Sequence, residues 1–366
     1  MREGTVTVVL DAQAGSCGKG KVAGYIALQP TVNGKPRIAI NNFMSNAGHT
    51  FVFDNGRSVM TQHLPTGIIS EKVGMLCIGP GAAITPEILW DEIKKYSDLI
   101  GDRKIFVHPR AMVIKPEHAM KEKELVKSGS TFKGCGTAQA DKIMRVPGIQ
   151  LFNDIEIPMD MKEFIVVTDT GALVNEYLDM GWNILVEGSQ GFDLDLNYGI
   201  EYPHVTSRQC NASQLIADCG LAPSTVDDIV MVARPYPIRI SNKTNIGEDI
   251  YSGGYSSDEI TWDIVRDRCG APADVEFGEY TTVTKQLRRV FEMNWDRLKY
   301  AVAINRPTMI ALNFAQYIDW EIRNKINGCD SDKVHQFIEK IEEVTNTDVM
   351  LIGTGAENQY MIDYGI

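Results

Sequence analysis

The sequence has no C-x-x-C pair, no long apolar segment and no signal-peptide pattern. Its seven cysteines stand singly, which is typical of reduced thiols and not of a disulfide framework or zinc site. The longest run without a charged side chain, residues 38–53, contains three asparagines and His49, so it does not resemble a membrane span. The N-terminal stretch reaches Asp11 too early for a signal peptide. We therefore expect a cytoplasmic protein without a membrane partner.

Excess positive charge is also lacking. The formal net charge of −12 argues against a general nucleic-acid-binding protein, whose surface would be basic. The chain has 366 residues, of which 44% are hydrophobic and 23% charged, a composition that permits a substantial core and excludes disorder. This length allows either two domains or one large one.

Short apolar runs alternate with helical patterns along the whole chain. The run TVTVVL enters the opening loop, NILVEGSQG reads as a strand and a tight turn, and TMIALNF and DVMLIGTG are late strands. Residues 333–345 place apolar side chains on one helical face. The alternation predicts an α/β fold with a mainly parallel central sheet flanked by helices. With no obvious linker, we expect residues 1–366 to form a single domain with inserted loops.

Glycines and lysines dominate the loop after the first predicted strand, DAQAGSCGKGK. Gly15 is followed after four residues by Gly20 and Lys21, a spacing that lets backbone N–H groups and a helix N-terminus surround a phosphate. A magnesium-binding hydroxyl would be expected next, but the residue is Val22. The loop is therefore either an unusual phosphate-binding loop or an ordinary glycine-rich turn.

A second polar turn, FMSNAGHTFVF, carries His49 between Gly48 and Thr50. A histidine in such a turn is a candidate general acid near a phosphoryl group. The alternative is a histidine that only satisfies hydrogen bonds beside an apolar strand.

Six motifs occur in the order found in adenylosuccinate synthetases, and the chain resembles that family over nearly its whole length. They are DAQAGSCGKGK, NAGHT, HLPTGI, VEGSQG, YPHVTS and GTG. The resemblance implies a P-loop-related α/β fold, a magnesium-dependent carbon–nitrogen ligase and a homodimer with shared active sites. In that family a nucleoside triphosphate phosphorylates the 6-oxygen of a purine monophosphate, and aspartate then displaces the phosphate.

The resemblance also implies roles for individual residues. Transfer of the phosphoryl group would involve Lys19, His49, Gln190 and the residue at position 16. The purine monophosphate would be bound by Ser16, Asn46, Ser130, Thr131, Thr206 and Gln190, with Arg145 donated by the neighbouring subunit. The nucleoside triphosphate would be bound by Gly18, Lys19, Gly20, Lys21, Gly48, His49, Thr50, Gly353, Thr354 and Gly355. The metal ligands would be Ser16 and the Gly48 carbonyl.

Ser16 departs from the family pattern, which has an aspartate there to take the N1 proton of the purine. A serine hydroxyl is a poor base at neutral pH, so the chain is either a weakened paralogue or an enzyme with another substrate. A small neutral side chain leaves room for the 2-amino group of guanine. The pattern resembles the bacteriophage branch of the family, which uses dGMP, and a phage-encoded chain would act in the host cytoplasm. Asp11, reactant phosphate and substrate aspartate are alternative acceptors of the N1 proton.

The segment expected to read the donor base also departs from the family. A T-K-x-D pattern that recognises guanine in the family is replaced here by ALNFAQY, with Ala315 in place of the aspartate. Losing that paired contact removes much of the discrimination for GTP. Asn313 or Gln316 would instead read adenine, so we expect ATP or dATP as donor.

A threonine-rich loop before an arginine pair is the candidate site for L-aspartate, because an arginine fork matches a carboxylate. Its candidate ligands are Thr281, Thr282, Thr284 and Arg288. Arg289 alternatively lies on a solvated face, and Gln286 stands where an arginine is expected.

The favoured function is joining of L-aspartate to dGMP with ATP. One alternative is an ordinary adenylosuccinate synthetase that uses IMP and GTP. Another is a nucleotide sensor without catalysis, which would have no need of a general acid at His49.

Overall fold

The computed structural model describes residues 4–31, 33–126, 130–243, 249–281 and 285–365. In chain order the strands are β1 (Val6–Asp11), β2 (Arg37–Asn41), β3 (His49–Val52), β4 (Ser58–Thr61), β5 (Val73–Ile78), β6 (Ala83–Ile84), β7 (Ile105–Val107), β8 (Met112–Val113), β9 (Ile165–Val167), β10 (Asn183–Glu187), β11 (Asp228–Ala233), β12 (Ile238–Arg239), β13 (Glu259–Ile260), β14 (Arg289–Phe291), β15 (Met309–Leu312), β16 (Val349–Gly353) and β17 (Met361–Asp363).

The α-helices are α1 (Lys19–Leu28), α2 (Pro86–Lys95), α3 (Ser97–Ile100), α4 (Pro116–Leu125), α5 (Cys135–Met144), α6 (Thr170–Asp179), α7 (Ala212–Asp218), α8 (Trp262–Cys269), α9 (Trp295–Asn305) and α10 (Asp332–Thr345). Local sequence explains several boundaries. Helix α2 starts with Pro86 after Thr85, as a proline at the first helical position favours. Helix α10 starts after Ser331, whose hydroxyl accepts from the Val334 N–H.

Ten strands form the central sheet in the order β17-β16-β15-β11-β1-β10-β2-β5-β7-β9. All neighbouring pairs are parallel except β16 with β17, at one edge. The α/β fold class with a mainly parallel sheet is therefore confirmed. Pro235 and Pro237 separate β11 from β12.

Apolar side chains cover both faces of the sheet. On β1, Val9 belongs to the cluster that includes Val22 of α1 and Leu89 of α2. Its neighbour Val8 belongs to the cluster that includes Leu298 of α9. Successive strand residues point to opposite faces, so the helices lie in layers on both sides of the sheet.

The polar motifs follow the carboxyl ends of the central strands. The phosphate loop follows β1, residues 188–191 follow β10, and residues 354–357 follow β16. Since β1 lies beside β10, the loops after these two strands meet at one edge of the sheet, where ligands bind in open α/β sheets. The hairpin β3–β4 places His49 at the start of β3. No helix in the part of the chain that the structure describes combines the length and apolar character needed to cross a bilayer.

Candidate active site

The phosphate loop turns into helix α1 at Gly18. Gly18 has φ 94°, a left-handed conformation that favours glycine. Gly20 permits a close approach, because a Cβ atom there would lie 2.9 Å from the backbone nitrogen and oxygen of Thr50. The first turn of α1 therefore packs directly against the strand that carries His49.

The two loop lysines are both buried but have different partners. Lys19 Nζ lies 2.5 Å from Asp11 Oδ2 and donates to the Gln190 carbonyl over 2.6 Å. Lys21 Nζ donates to the carbonyls of Gly355, over 2.6 Å, and Tyr360. Burial lowers the pKa of Lys21 to about 7. Lys19 thus joins the phosphate loop to the predicted purine side, and Lys21 joins it to the predicted donor side.

Ser16 is exposed at the tip of the loop, with φ 55°. Its hydroxyl accepts from Arg288 Nη1 over 2.6 Å, and its carbonyl accepts from Arg234 Nη1 over 3.0 Å. Arg234 is also ion-paired with Glu279. Two guanidinium groups therefore face Ser16, and the hydroxyl proton of Ser16 can be donated away from Arg288.

His49 is held by a buried glutamate. Its Nδ1 lies 2.6 Å from Glu187 Oε1, so an ionised Glu187 requires a proton on Nδ1. Thr66 donates to the same carboxylate from its backbone N–H (2.8 Å) and its hydroxyl (2.7 Å). The ring of Phe43 lies 4.3 Å from the His49 ring. Glu187 thereby fixes the ring and leaves Nε2 to face a ligand.

Asn46, a predicted ligand of the purine monophosphate, lies beside Gln190, which follows β10. Gln190 Nε2 donates to the Asn46 carbonyl over 3.4 Å. Asn46 Oδ1 and Thr206 Oγ1 are buried and have no hydrogen-bond partner among the described residues. Buried polar atoms are normally satisfied, so these two atoms suit hydrogen bonds to a bound ligand.

The other predicted ligands of that nucleotide lie on residues 130–145. Ser130 Oγ donates to Glu122 over 2.9 Å, so it supports the backbone of this segment. Thr131 is exposed, and Arg145 is exposed directly after α5. The structure thus leaves Thr131 and Arg145 accessible to a ligand or another chain.

The amide nitrogen of Asn313 supports the phosphate loop. Its Nδ2 donates to the carbonyls of Cys17 (2.9 Å) and Gly18 (3.2 Å), and a Cβ at Gly353 would lie 2.2 Å from its Oδ1. That Oδ1 is buried and has no hydrogen-bond partner among the described residues, so recognition of adenine by Asn313 stays a prediction. Ala315, the expected replacement of an aspartate, is fully buried in the core.

Gln316 lines a cavity of about 290 Å³. The lining also includes Phe277, Tyr317, Trp320, Gly355 and Glu357. The rings of Phe277 and Trp320 lie 5.7 Å apart, and Gln316 Oε1 has no hydrogen-bond partner among the described residues. Aromatic walls with an unpaired amide oxygen are suited to a nucleobase. Thr354 instead donates its hydroxyl to the Lys325 carbonyl and so supports this rim.

The predicted aspartate loop is only partly described, and Thr282 and Thr284 lie outside the described residues. The Thr281 hydroxyl accepts from the Gln286 N–H over 3.0 Å, so it closes a turn of this loop. Arg289 is ion-paired with Glu259 and does not lie on a solvated face.

Arg288 has a buried Nε without a hydrogen-bond partner in the described chain. Its guanidinium group is therefore the clearest candidate there for a carboxylate ligand.

Magnesium prefers oxygen ligands. Gly48 is exposed, and a Cβ at Gly48 would meet no atom within 4 Å, so its surroundings are open and its carbonyl stays a predicted ligand. The Ser16 hydroxyl fits a cation less well, because it already contacts the Arg288 guanidinium. Among the described residues, no group of three His, Cys, Asp or Glu side chains could hold a metal.

Comparison with known proteins agrees with this geometry. The family model of adenylosuccinate synthetase matches residues 8–165 and 155–329. The chain is 37% identical over 328 residues to N6-succino-2-amino-2'-deoxyadenylate synthase of Salmonella phage PMBT28, covering 86% of each chain. It is 34% identical to adenylosuccinate synthetase of Pyrococcus sp. (strain ST700), covering 97% of each chain.

A solved structure is similar over the whole chain. It is the succinoaminodeoxyadenylate synthetase of cyanophage S-2L bound to dGMP and to dATP as an energy donor, with a TM-score of 0.81, 30% identity, and coverage of 100% of this chain and 97% of that one. From these matches and from the site, the chain belongs to the adenylosuccinate synthetase family of carbon–nitrogen ligases.

Proposed function

We propose that this enzyme joins L-aspartate to the purine 6-carbon of dGMP, with ATP or dATP as phosphoryl donor. The products are 2-amino-2'-deoxy-N6-succinyladenylate, ADP or dADP, and phosphate. The observation that carries the proposal is the exposed, neutral Ser16 at the end of a loop whose Lys19 contacts Gln190. The names of the Salmonella phage and cyanophage relatives support it.

The first chemical step is attack of the guanine 6-oxygen on the γ-phosphorus, with loss of the N1 proton and release of the nucleoside diphosphate. Lys19 and the backbone N–H groups from Gly18 to Lys21 bind the transferred group and stabilise its charge. Because His49 Nδ1–H is donated to Glu187, the ring must be doubly protonated for Nε2–H to donate to the bridging oxygen, and the Glu187 carboxylate favours that charged form. The aspartate amine then forms a bond to C6, and the C6–O bond breaks to release phosphate.

Ser16 decides which purine fits this site. Its hydroxyl accepts from Arg288 and keeps one lone pair for the 2-amino group of guanine. A carboxylate at this position would be larger and would form an ion pair with Arg288. We therefore propose dGMP as the purine substrate in preference to IMP.

The monophosphate of dGMP is assigned to Asn46, Ser130, Thr131 and Thr206 of one subunit and to Arg145 of its partner. Exposed apolar side chains precede Arg145: Ile143 is 76% and Met144 73% exposed. A second copy of the chain would cover these side chains and bring Arg145 to the neighbouring site. This arrangement supports a homodimer.

The donor base is assigned to the cavity beside Gln316, and the donor phosphates to Lys21, Thr50 and Gly355. Magnesium, when bound, neutralises phosphate charge, with the Gly48 carbonyl as its protein ligand. L-aspartate is assigned to Thr281 and Arg288, together with Thr282 and Thr284 of the loop that the structure does not describe. A cytoplasmic location stays a prediction.

Initial rates with dGMP and IMP, each combined with ATP and GTP, test this function. We expect the highest kcat/KM for dGMP with ATP. Preference for IMP and GTP would support the ordinary adenylosuccinate synthetase. Tight nucleotide binding without turnover of any pair would support the sensor.

A further inference from the structure

Asp11 is a fully buried carboxylate beneath the phosphate loop. It is the last residue of β1, and its Oδ2 accepts from Lys19 Nζ (2.5 Å) and from the Cys17 N–H (3.4 Å). Its Oδ1 is buried without a hydrogen-bond partner in the described chain. The loop itself, residues 12–21, carries two lysines and no acidic side chain. Asp11 is thus the counter-charge of the loop.

The two hydrogen bonds of the Lys19 ammonium determine where its third N–H points. An ammonium group has three N–H donors, and two of those of Lys19 are used by Asp11 Oδ2 and the Gln190 carbonyl. The third must point away from both acceptors. Gln190 is one of the residues expected to take part in phosphoryl transfer and in purine binding, so we expect the third donor to point toward the phosphoryl group in transfer.

Burial separates Asp11 from any substrate. The Asp11 side chain has no exposed surface, and the fully buried Cys17 covers the same oxygen through its backbone N–H. A direct role as acceptor of the N1 proton would require contact with the purine. The carboxylate therefore acts through Lys19.

A role in folding alone does not account for this carboxylate. A buried ion pair is weak support for stability, and structural carboxylates normally have both oxygens hydrogen-bonded. Lys21, in the same loop, is buried against two carbonyls. Burial without a carboxylate partner lowers the pKa of Lys21 to about 7, so the loop can bury a lysine without a counter-charge, but that lysine then loses its charge more readily.

We propose that Asp11 is a positioning residue, which holds the Lys19 ammonium against the Gln190 carbonyl and aims its remaining N–H at the phosphoryl group in transfer. The inference rests on the function proposed above. Because the effect is on orientation in the transition state, it should alter kcat and leave substrate binding unchanged.

The variant Asp11→Asn keeps the shape of the side chain and removes its charge. We expect kcat with dGMP, L-aspartate and ATP to fall about 10- to 100-fold, as when one hydrogen-bond donor to the transition state is lost. Each KM should stay within twofold of the wild type, and Tm should not change. Asp218→Asn is the matched control, since Asp218 is ion-paired with Arg208 away from the loop lysines. A kcat within twofold of the wild type in Asp11→Asn would overturn the proposal.

A second readout does not depend on turnover. In protein labelled with ¹⁵N-lysine, the ammonium of Lys19, assigned by its loss in Lys19→Arg, should give an NMR signal protected from water exchange. We expect that signal to disappear in Asp11→Asn and to persist in Asp218→Asn; persistence in both would overturn the proposal.

If the wild type does not consume dGMP, the proposed function fails while the NMR comparison still tests Asp11. If Asp11→Asn does not fold, Asp11→Glu, which displaces the charge by one methylene, takes its place with the same expected losses. A kcat within twofold of the wild type in the Glu variant would also overturn the proposal.

Discussion

Arg288 donates a hydrogen bond to the Ser16 hydroxyl over 2.6 Å, although the two residues are 272 positions apart in the chain. Arg288 comes from the candidate aspartate loop, and Ser16 lies at the purine end of the phosphate loop. A single contact therefore connects the two candidate substrate sites. We therefore expect a change in the charge of residue 16 to alter the binding of both the purine and L-aspartate.

Ser16→Asp should abolish most use of dGMP. The new carboxylate would form an ion pair with Arg288 and occupy the space assigned to the 2-amino group. We expect kcat/KM for dGMP to fall by about 100-fold or more, and KM for L-aspartate to rise as well. Initial rates measure both, and Ser16→Ala, which stays small and neutral, should lose less than about tenfold. An Asp variant that consumes dGMP as fast as the wild type would contradict the assignment.

Glu187→Gln should slow the chemical step. Glutamine removes the carboxylate charge that favours a doubly protonated ring, so His49 Nε2 is less able to donate to the bridging oxygen. We expect kcat to fall about 10- to 100-fold with little change in KM. Glu92→Gln is the matched control, because Glu92 is also buried but accepts from backbone N–H groups of residues 62–64. Equal losses in both variants would point to a folding effect.

The position of Glu187 beside His49 depends on the order of the strands, which the sequence motif does not give. The motif VEGSQG marks a strand followed by a turn, but it does not say which strand lies beside it. The pairing of β10 with both β1 and β2 brings Glu187 between the phosphate loop and the segment that leads to His49. Strand order depends on long-range packing, so neither this pair nor the ion pair of Asp11 with Lys19 was predicted.

Local patterns did predict the elements whose causes are local. Gly18 and Gly20 allow the turn and the close packing of α1, and Pro86 starts α2, as proline at the first helical position favours. Contacts between residues far apart in the chain could not be predicted in this way. Asn313 donates to carbonyls of the phosphate loop, and Arg234 pairs with Glu279 and donates to the carbonyl of Ser16.

Gln316→Ala should weaken the donor site selectively. Removing the amide from the cavity leaves the edge of the base without a partner, so KM for ATP should rise about tenfold while kcat changes little. Asn313→Ala should differ, with a lower Tm and a lower kcat, because it frees the carbonyls of Cys17 and Gly18. Initial rates at varied ATP and thermal melts separate the two. An unchanged KM for ATP in Gln316→Ala would place the base elsewhere.

Mixed dimers test whether Arg145 acts in the neighbouring site. Lys19→Met and Arg145→Ala proteins should each be nearly inactive. After random subunit exchange, half of the dimers are mixed. If Arg145 acts across the interface, one of the two sites in each mixed dimer is intact, so about a quarter of the wild-type activity returns. Exchange without any recovery would show that Arg145 serves its own subunit or neither.

Lys21 should make donor binding dependent on pH. Its pKa is lowered to about 7 by burial, so at pH 8 the free enzyme holds Lys21 mainly neutral. A bound triphosphate favours the charged ammonium of Lys21. Binding at pH 8 should therefore take up close to one proton, and the affinity for MgATP should fall as the pH rises from 7 to 9. Calorimetry in two buffers of different ionisation enthalpy measures the uptake, and Lys21→Met, which has no proton to gain, corrects for protons taken up by the nucleotide. Equal uptake by the wild type and Lys21→Met would mean that Lys21 does not change its charge when the donor binds.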